Sequence, residues 1–178
     1  MKILAFAASS SRKSINAQLL RLVSARIEGH EIEFLDINDY EMPLFSEERE
    51  DELGQPALAQ AFREKISECD LLLISFAEHN GSYTAAWKNL FDWTSRIAPK
   101  VFQSKRALYF ATSPGLGGAA NVLQQAVTSA PHFGAELLGS LSVPSFYDNV
   151  DTDSGRLADP ELEQQLEAML EQLTAEPA

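Results

Sequence analysis

Hydrophobic and polar positions along the chain fall into two alternating kinds of segment. Short runs rich in β-branched and other apolar residues predict five strands, at residues 2–8, 31–37, 70–77, 106–113 and 136–143. Some of these runs are apolar at successive positions rather than at every second one, as in the stretch from Leu71 to Ile74. Both faces of such a strand must be covered, which is typical of a parallel sheet with helices on both sides.

Longer segments with apolar residues three or four positions apart predict helices, at residues 15–28, 56–67, 85–96, 119–130 and 160–173. Alternating strands and helices joined by right-handed crossovers predict an α/β fold, a three-layer doubly wound domain around a five-stranded parallel sheet. We expect one such domain over residues 1–178. Residues 38–55 are acidic and rich in helix breakers, which predicts a surface loop or lid, and residues 174–178 are predicted to fray.

Composition narrows the classes of protein to which the chain can belong. With 45% hydrophobic and 22% charged residues, it can bury a core and is not a disordered chain. No apolar run approaches the roughly 18 residues of a membrane span, so membrane insertion is not expected, and residues 2–8 are interpreted as a buried strand rather than a secretion signal. Cys69 is the only cysteine, which excludes an intrachain disulfide and a zinc site built on cysteine pairs and favours the reducing cytoplasm. No metal ion is expected.

The charge of the chain bears on its partners. A net charge of −12 repels a polyanion, so nucleic acid is not an expected partner. The charges are unevenly distributed, because residues 1–27 contain no acidic residue and five basic ones, which are Lys2, Arg12, Lys13, Arg21 and Arg26. This local excess favours a small anionic ligand near the N-terminus, although ordinary solvated surface charge explains it almost as well.

Open parallel sheets of this kind bind ligands beyond the carboxyl ends of their strands. In the loop after the first predicted strand, the candidate ligand-binding residues are Ser9, Ser11, Arg12, Ser14 and Asn16. Hydroxyls, a guanidinium and the free N–H groups at the start of a helix are groups that bind a phosphate. A plain helix N-cap at Ser11 or Ser14 is the alternative interpretation. The nucleoside-triphosphate loop G-x-x-x-x-G-K-[ST] is absent, and no dinucleotide fingerprint G-x-G-x-x-G follows this strand.

Two later loops contain further candidates. The loop after the third predicted strand contains Glu78, His79, Asn80, Gly81 and Ser82. Asn-Gly is a strong turn signal, and its backbone amides could face a planar ligand or form only a turn. The histidine has no visible orienting partner, so no catalytic base is assigned to it.

The loop after the fourth predicted strand contains Ser113, Gly115, Gly117 and Gly118. Three glycines within four residues permit the backbone to approach a flat ring closely, although glycine-rich loops are common for other reasons.

Taken together, the three loops resemble those of the flavodoxin-like NAD(P)H-dependent FMN reductase family, which includes quinone and chromate reductases. The resemblance rests on E-x-N-G-S at residues 78–82 and K-N-L-F-D-W at residues 88–93, with support from the serines, the asparagine and the glycines of the other two loops. The sequence departs from the family pattern at Ala8, where the family has glycine, at Ala77, where it has proline, and at His79, where it has tyrosine.

The resemblance implies a sheet with strand order 2-1-3-4-5 and an FMN cofactor at its carboxyl edge. The FMN phosphate would lie among the candidate residues of the first loop, and the flavin ring would lie against residues 78–82, with Ser113, Gly115 and Gly118 nearby. NAD(P)H, as co-substrate, would pass a hydride to flavin N5, and a quinone, free flavin or other small oxidant would accept it. No side chain would act as a catalytic acid or base.

The same resemblance implies a homodimer or homotetramer formed through the helix after the third loop. Trp87, Phe91 and Trp93 are interface candidates, and core packing is an equal alternative for two of them. Two other functions stay open, a flavodoxin-like one-electron carrier that serves a protein partner and a flavin-free binding module. Reduction of a bound flavin by NADPH separates the enzyme from both.

Overall fold

The computed structural model of the protein describes residues 1–174. In chain order its elements are β1 (Lys2–Ala8), α1 (Ile15–Ala25), β2 (Glu31–Leu35), a 3-10 helix (Ile37–Tyr40), α2 (Glu47–Leu53), α3 (Ala57–Ser67), β3 (Leu71–Phe76), β4 (Glu78–His79), β5 (Ser82–Tyr83), α4 (Ala85–Ile97), β6 (Lys105–Thr112), α5 (Ala120–Ser129), β7 (Ala135–Val143), α6 (Phe146–Asn149), β8 (Val150–Asp151), β9 (Arg156–Leu157) and α7 (Pro160–Thr174). Fraying was predicted for residues 174–178, of which Thr174 is the last helical residue and residues 175–178 lie outside the described residues.

Five parallel strands form the central sheet in the order β2-β1-β3-β6-β7. They correspond to the five predicted strands, and the order 2-1-3-4-5 is confirmed. Ala8 pairs with Phe76, and Phe76 pairs with Ala111, so β1, β3 and β6 end at nearly the same level. The loops that follow these three strands therefore meet at one edge of the sheet.

Helices cover both faces of the sheet, as the unbroken apolar runs predict. One face packs with α3, α4 and α5 in an aromatic cluster that includes Phe62, Trp87 and Tyr109. The other packs with α1 and α7 in a mostly aliphatic cluster that includes Leu19 and Leu166. All six residues of β3 are buried, because this strand lies in the middle of the sheet between the two clusters.

The prediction of a loop over residues 38–55 is wrong in part. The segment contains most of the 3-10 helix and all of α2. Helix α2 has no buried residue, so it has no apolar stripe that a pattern search could detect. It begins at a Ser46 N-cap whose Oγ accepts from Arg49 N–H, and Glu50 forms an ion pair with Arg96 of α4.

Within residues 1–174, no helix combines the length and the apolar character needed to cross a membrane.

Candidate functional site at the carboxyl edge of the sheet

The loop after β1 is folded around its own serine hydroxyls. Ser9 Oγ accepts from Ser11 N–H and Ser11 Oγ accepts from Lys13 N–H, both at 3.3 Å. Ser14 is the N-cap of α1, and its Oγ accepts from Ala17 N–H. Each hydroxyl therefore acts as an acceptor toward the backbone, which leaves its own O–H free to donate to a ligand.

The start of α1 is also electrically suited to an anion. The first backbone N–H groups of a helix have no acceptor inside the helix, and among them the Ser14 side chain accepts only that of Ala17. No acidic residue lies in the first turn, so the positive end of the helix dipole is not neutralised from within. Arg12 is exposed beside it and, among the residues that the structure describes, makes no ion pair.

Asn16 lies one turn further on and is directed into the fold. Its Nδ2 donates to the carbonyl of Thr112, and its Oδ1 accepts from Thr112 N–H and from Ser75 Oγ. The side chain, 3% exposed, thus joins α1 to the ends of β3 and β6. Asn16 positions the loop after β1, and what it presents toward a ligand at the start of α1 is its backbone N–H.

The loop after β3 is a small hairpin formed by β4 and β5. Asn80 and Gly81 occupy its two central positions with φ angles of 53° and 78°. Two successive positive φ angles are the mark of a type I′ turn, which is the reason for Asn-Gly at this point. The imidazole of His79 is exposed next to the turn and has no hydrogen-bond partner among residues 1–174.

The hairpin is tied to α5 by its polar side chains. Glu78 Oε2 accepts from Val122 N–H at 2.9 Å, in the first turn of α5. The N-cap position of α5 is occupied by Ala119, whose side chain cannot accept a hydrogen bond, so the Glu78 carboxylate takes the place of the missing side-chain cap. Ser82 Oγ donates to Gln125 Oε1, whose Nε2 donates to the Gly81 carbonyl.

The loop after β6 closes against the end of β7. Gly118 has a φ of 57°, and a Cβ at this position would come within 2.4 Å of Ser142 Oγ and 3.0 Å of Pro144 N. Glycine is therefore required there by both conformation and space. Gly115 has open space around it, its carbonyl accepts from Ser145 N–H and from Ser113 Oγ, and it lies on the exposed side of the loop.

The K-N-L-F-D-W segment has a role that its sequence does not reveal. Asn89 Oδ1 accepts from Phe45 N–H, and Asn89 Nδ2 donates to the carbonyls of Met42 and Pro43. Trp93 Nε1 donates to the same Pro43 carbonyl at 2.7 Å. These bonds fix residues 42–45 on α4, so at least this part of the predicted lid is held by the motif.

Of the three interface candidates on α4, two are buried in the core and one is partly exposed. Trp87 and Trp93 are 2% and 0% exposed and belong to the core of their own chain, which confirms core packing for two of the three candidates. Phe91 is half-buried and lines a cleft of about 500 Å³ between α4 and α5. Tyr109 also lines this cleft, and burial raises the pKa of its hydroxyl, which has no hydrogen-bond partner among the described residues.

The structure thus brings the predicted residues to one edge but gives them different positions. The residues that present unused donors are Ser9, Ser11, Arg12 and Ser14. The residues whose side chains are engaged within the protein are Asn16, Glu78, Ser82 and Ser113. Sequence reasoning missed Thr84, whose Oγ1 donates to the Ala8 carbonyl and accepts from Trp87 N–H, joining the end of β1 to the start of α4.

A five-stranded parallel sheet of order 2-1-3-4-5 with helices on both faces defines a flavodoxin-like α/β protein. Residues 1–148 match the family model of the NADPH-dependent FMN reductases, and the chain belongs to that family.

Relatives of known name agree with this assignment. An NAD(P)H:quinone oxidoreductase of Solanum tuberosum is 33% identical over 177 residues, which cover 94% of this chain and 85% of that protein. An NADPH:quinone oxidoreductase of Arabidopsis thaliana is 34% identical over 122 residues, covering 66% of this chain and 61% of that protein. The fold matches FerB, a flavoenzyme NAD(P)H:(acceptor) oxidoreductase of Paracoccus denitrificans, with a TM-score of 0.71 and 22% identity over 96% of this chain and 95% of that chain.

Proposed function

We propose that the protein is an FMN-dependent NAD(P)H oxidoreductase that reduces quinones, free flavins or other small oxidants. Family membership and the quinone oxidoreductases among its relatives support the activity. The observation that carries the assignment of the cofactor site is the start of α1, where three serine hydroxyls and an unpaired arginine surround free backbone N–H groups and no carboxylate is present in the first turn.

The donors at the start of α1 fit the phosphate of FMN. A phosphate monoester needs several hydrogen-bond donors and positive charge, and the residues that would hold it are Ser9, Ser11, Arg12 and Ser14. The start of α5 at the same edge does not compete for the phosphate, because the Glu78 carboxylate already occupies it. We therefore assign the phosphate to the loop after β1.

The other two loops would hold the flavin ring. The β4–β5 hairpin presents the backbone of Asn80 and Gly81 at its tip, and the loop after β6 presents Gly115 in open space. The bonds from Glu78 and Gln125 fix the hairpin in place, so a planar ring would meet a preorganised surface. When bound there, FMN would supply the hydride chemistry that connects NAD(P)H to the oxidant.

The side chains of this chain are assigned binding and orientation rather than proton transfer. A catalytic base needs a partner that orients it, and His79 has none among residues 1–174. Asn16, Ser75 and Thr112 lock the ends of three elements together and so fix the distance between the phosphate loop and the ring loops.

Anaerobic spectroscopy tests the proposal directly. The purified protein is mixed with FMN, NADPH is added, and flavin absorbance is followed before and after a benzoquinone is supplied. We expect bleaching on addition of NADPH and recovery on addition of the quinone. Binding of FMN without bleaching would contradict the reductase and favour the one-electron carrier, and failure to bind FMN would favour the flavin-free module.

We also propose that the protein is a homodimer in which the α4–α5 cleft receives a second copy. The cleft exposes aromatic surface around Phe91, and its rim carries both signs of charge in Lys88 and Asp92, which suits a self-complementary interface. Sedimentation of the protein and of Phe91→Asp at micromolar concentration tests this, with a dimer expected for the first and a monomer for the second. We further propose that the protein is located in the reducing cytoplasm, with which the buried free thiol of Cys69 is compatible.

A further inference from the structure

The cleft between α4 and α5 lies apart from the residues assigned to FMN. It has a volume of about 500 Å³ and is lined by residues of both helices, of β3, β5 and β6, and of the loops that precede β6 and β7. Phe102 and Phe133 belong to those two loops, at the amino ends of the strands, whereas the flavin loops follow the carboxyl ends. Within residues 1–174, no candidate FMN residue lines the cleft. The cleft is therefore distinct from the cofactor site.

The walls of the cleft are largely aromatic. Phe76, Phe102 and Tyr109 are buried residues that line it, and the rings of Phe76 and Tyr109 meet edge to face with their centres 5.1 Å apart. Phe91 and Phe133 are half-buried and meet edge to face at 4.7 Å. Aromatic rings favour edge-to-face and offset contacts with further rings, so this lining suits a flat aromatic ligand.

Tyr109 places a hydrogen-bond donor in this apolar lining. The residue is 0% exposed, and its hydroxyl has no hydrogen-bond partner among the described residues. Burial raises the pKa of this hydroxyl, so at neutral pH it keeps its proton and can donate. A buried hydroxyl without an acceptor is unfavourable, and most such groups in proteins are hydrogen-bonded. Because Tyr109 lines the cleft, an acceptor on a molecule within the cleft can satisfy its hydroxyl.

The charges around the cleft favour a neutral ligand. Among the lining residues that the structure describes, only Lys88 and Asp92 are charged, and they pair with each other, with Nζ 2.6 Å from Oδ1. A charged ligand would lose its hydration in the cleft without gaining a free counter-charge. Complete small-molecule sites occupy about 300 to 1,000 Å³, so a cleft of 500 Å³ has room for a whole small molecule.

We propose that the α4–α5 cleft binds a neutral aromatic molecule of one or two fused rings that carries an uncharged oxygen acceptor, such as a ketone. The rings would pack against the phenylalanines, and the oxygen would accept from Tyr109 Oη–H. The second copy proposed for this face would cover the mouth of the cleft and leave its interior to the ligand. The proposal goes beyond the proposed function, because the site needs neither FMN nor hydride transfer.

Tyr109→Phe tests the site, because it removes only the unpaired hydroxyl and keeps the ring. The matched control is Tyr147→Phe, which removes a hydroxyl from α6 at a position that is 73% exposed and outside the cleft. The probes are 2-acetylnaphthalene and 2-ethylnaphthalene, which differ in the carbonyl oxygen. Neither probe is a quinone. Their Kd values are measured by equilibrium dialysis with and without FMN, and thermal unfolding of each variant reports its folding.

We expect the wild type and Tyr147→Phe to bind the ketone equally, with or without FMN. Tyr109→Phe should bind the ketone about two- to tenfold more weakly, because one hydrogen bond is lost, and should bind 2-ethylnaphthalene no more weakly than the wild type does. The Tm of Tyr109→Phe should be at least that of the wild type, because no bond within the protein is lost.

Two outcomes would overturn the site. Equal ketone affinities in Tyr109→Phe and the wild type would show that the ketone binds elsewhere. A wild type that takes up neither probe would show that the second copy fills the cleft. The proposed function is decided separately, since a protein that binds the ketone through Tyr109 but is not bleached by NADPH would keep this site and lose the reductase.

Discussion

Helices α1 and α5 both begin at the carboxyl edge of the sheet, but their first turns are satisfied differently. The start of α5 is capped by the Glu78 carboxylate from the β4–β5 hairpin. The start of α1 is capped only by the Ser14 hydroxyl and is surrounded by O–H and guanidinium donors with no acid in the first turn. At the start of α5 the protein itself supplies the negative group. At the start of α1 it does not, so only the start of α1 leaves its backbone donors to a ligand.

Because of this difference, substitutions at the two helix starts should change different properties of the protein. Changes at the start of α5 should lower the free energy of unfolding, because the contacts there are made within the protein. Changes at the exposed Arg12 beside the start of α1 should lower affinity for FMN and leave the stability of the flavin-free protein nearly unchanged.

The largest expected effect is that of Gly118→Ala, just before α5. The new Cβ would collide with Ser142 Oγ at 2.4 Å and would sit at a φ of 57°. Overpacking and backbone strain together should cost about 3 kcal/mol of unfolding free energy, or roughly 6 to 12 °C in Tm. Thermal unfolding of Gly115→Ala is the control, since a Cβ there meets nothing within 4 Å, and its Tm should stay close to that of the wild type. Equal losses in the two variants would refute the packing argument.

The next effect concerns ligand binding. Arg12→Ala removes a charge-assisted hydrogen bond to the phosphate, which contributes about 1.5 to 3 kcal/mol, so the Kd for FMN should rise about tenfold to a hundredfold. Because Arg12 is exposed and has no ion pair among residues 1–174, the Tm of the flavin-free protein should not change measurably. Arg12→Lys, which keeps the charge and loses the planar fork, should lie between the two. Wild-type affinity in Arg12→Ala would move the phosphate away from this loop.

The smallest effect is that of Glu78→Gln. Its amide oxygen can still accept from Val122 N–H, but the negative charge at the start of α5 is lost. We expect a loss of about 1 kcal/mol of unfolding free energy, measured as a lower urea midpoint. His79→Ala serves as the neighbouring control, because the imidazole of His79 is exposed and has no hydrogen bond in the described part of the chain. A loss in the control as large as that in Glu78→Gln would mean that the cap contributes nothing specific.

The elements that the sequence could predict are those whose apolar side chains are buried. The five strands follow from apolar runs whose length is set by burial, and the first strand, residues 2–8, has the predicted bounds. The strand order was predicted from the resemblance to the reductase family. Helix α2 escaped prediction because none of its residues is buried, and its contacts include a serine cap and an ion pair with Arg96. The hairpin formed by β4 and β5 was visible only as its Asn-Gly turn.

The candidate site shows the same limit. A polar residue in a motif can face a ligand or hold the scaffold, and the residue type does not distinguish these roles. Asn16 and Glu78 were both predicted to contact FMN, and that contact stays a prediction, but their side chains make long-range bonds to Thr112 and Val122. Asn89 was recognised as part of a motif, yet its bonds to residues 42–45 depend on a chain segment more than 40 positions away.

The central claim is that the start of α1 binds the phosphate of the cofactor, and comparison of FMN with riboflavin tests it most directly. The two molecules differ only in the phosphate, so the ratio of their Kd values, measured by fluorescence titration, isolates that group. Charge-assisted bonds of about 1.5 to 3 kcal/mol each predict that riboflavin binds at least about tenfold more weakly than FMN, and that Arg12→Ala reduces this ratio. Equal affinities for FMN and riboflavin would contradict the account.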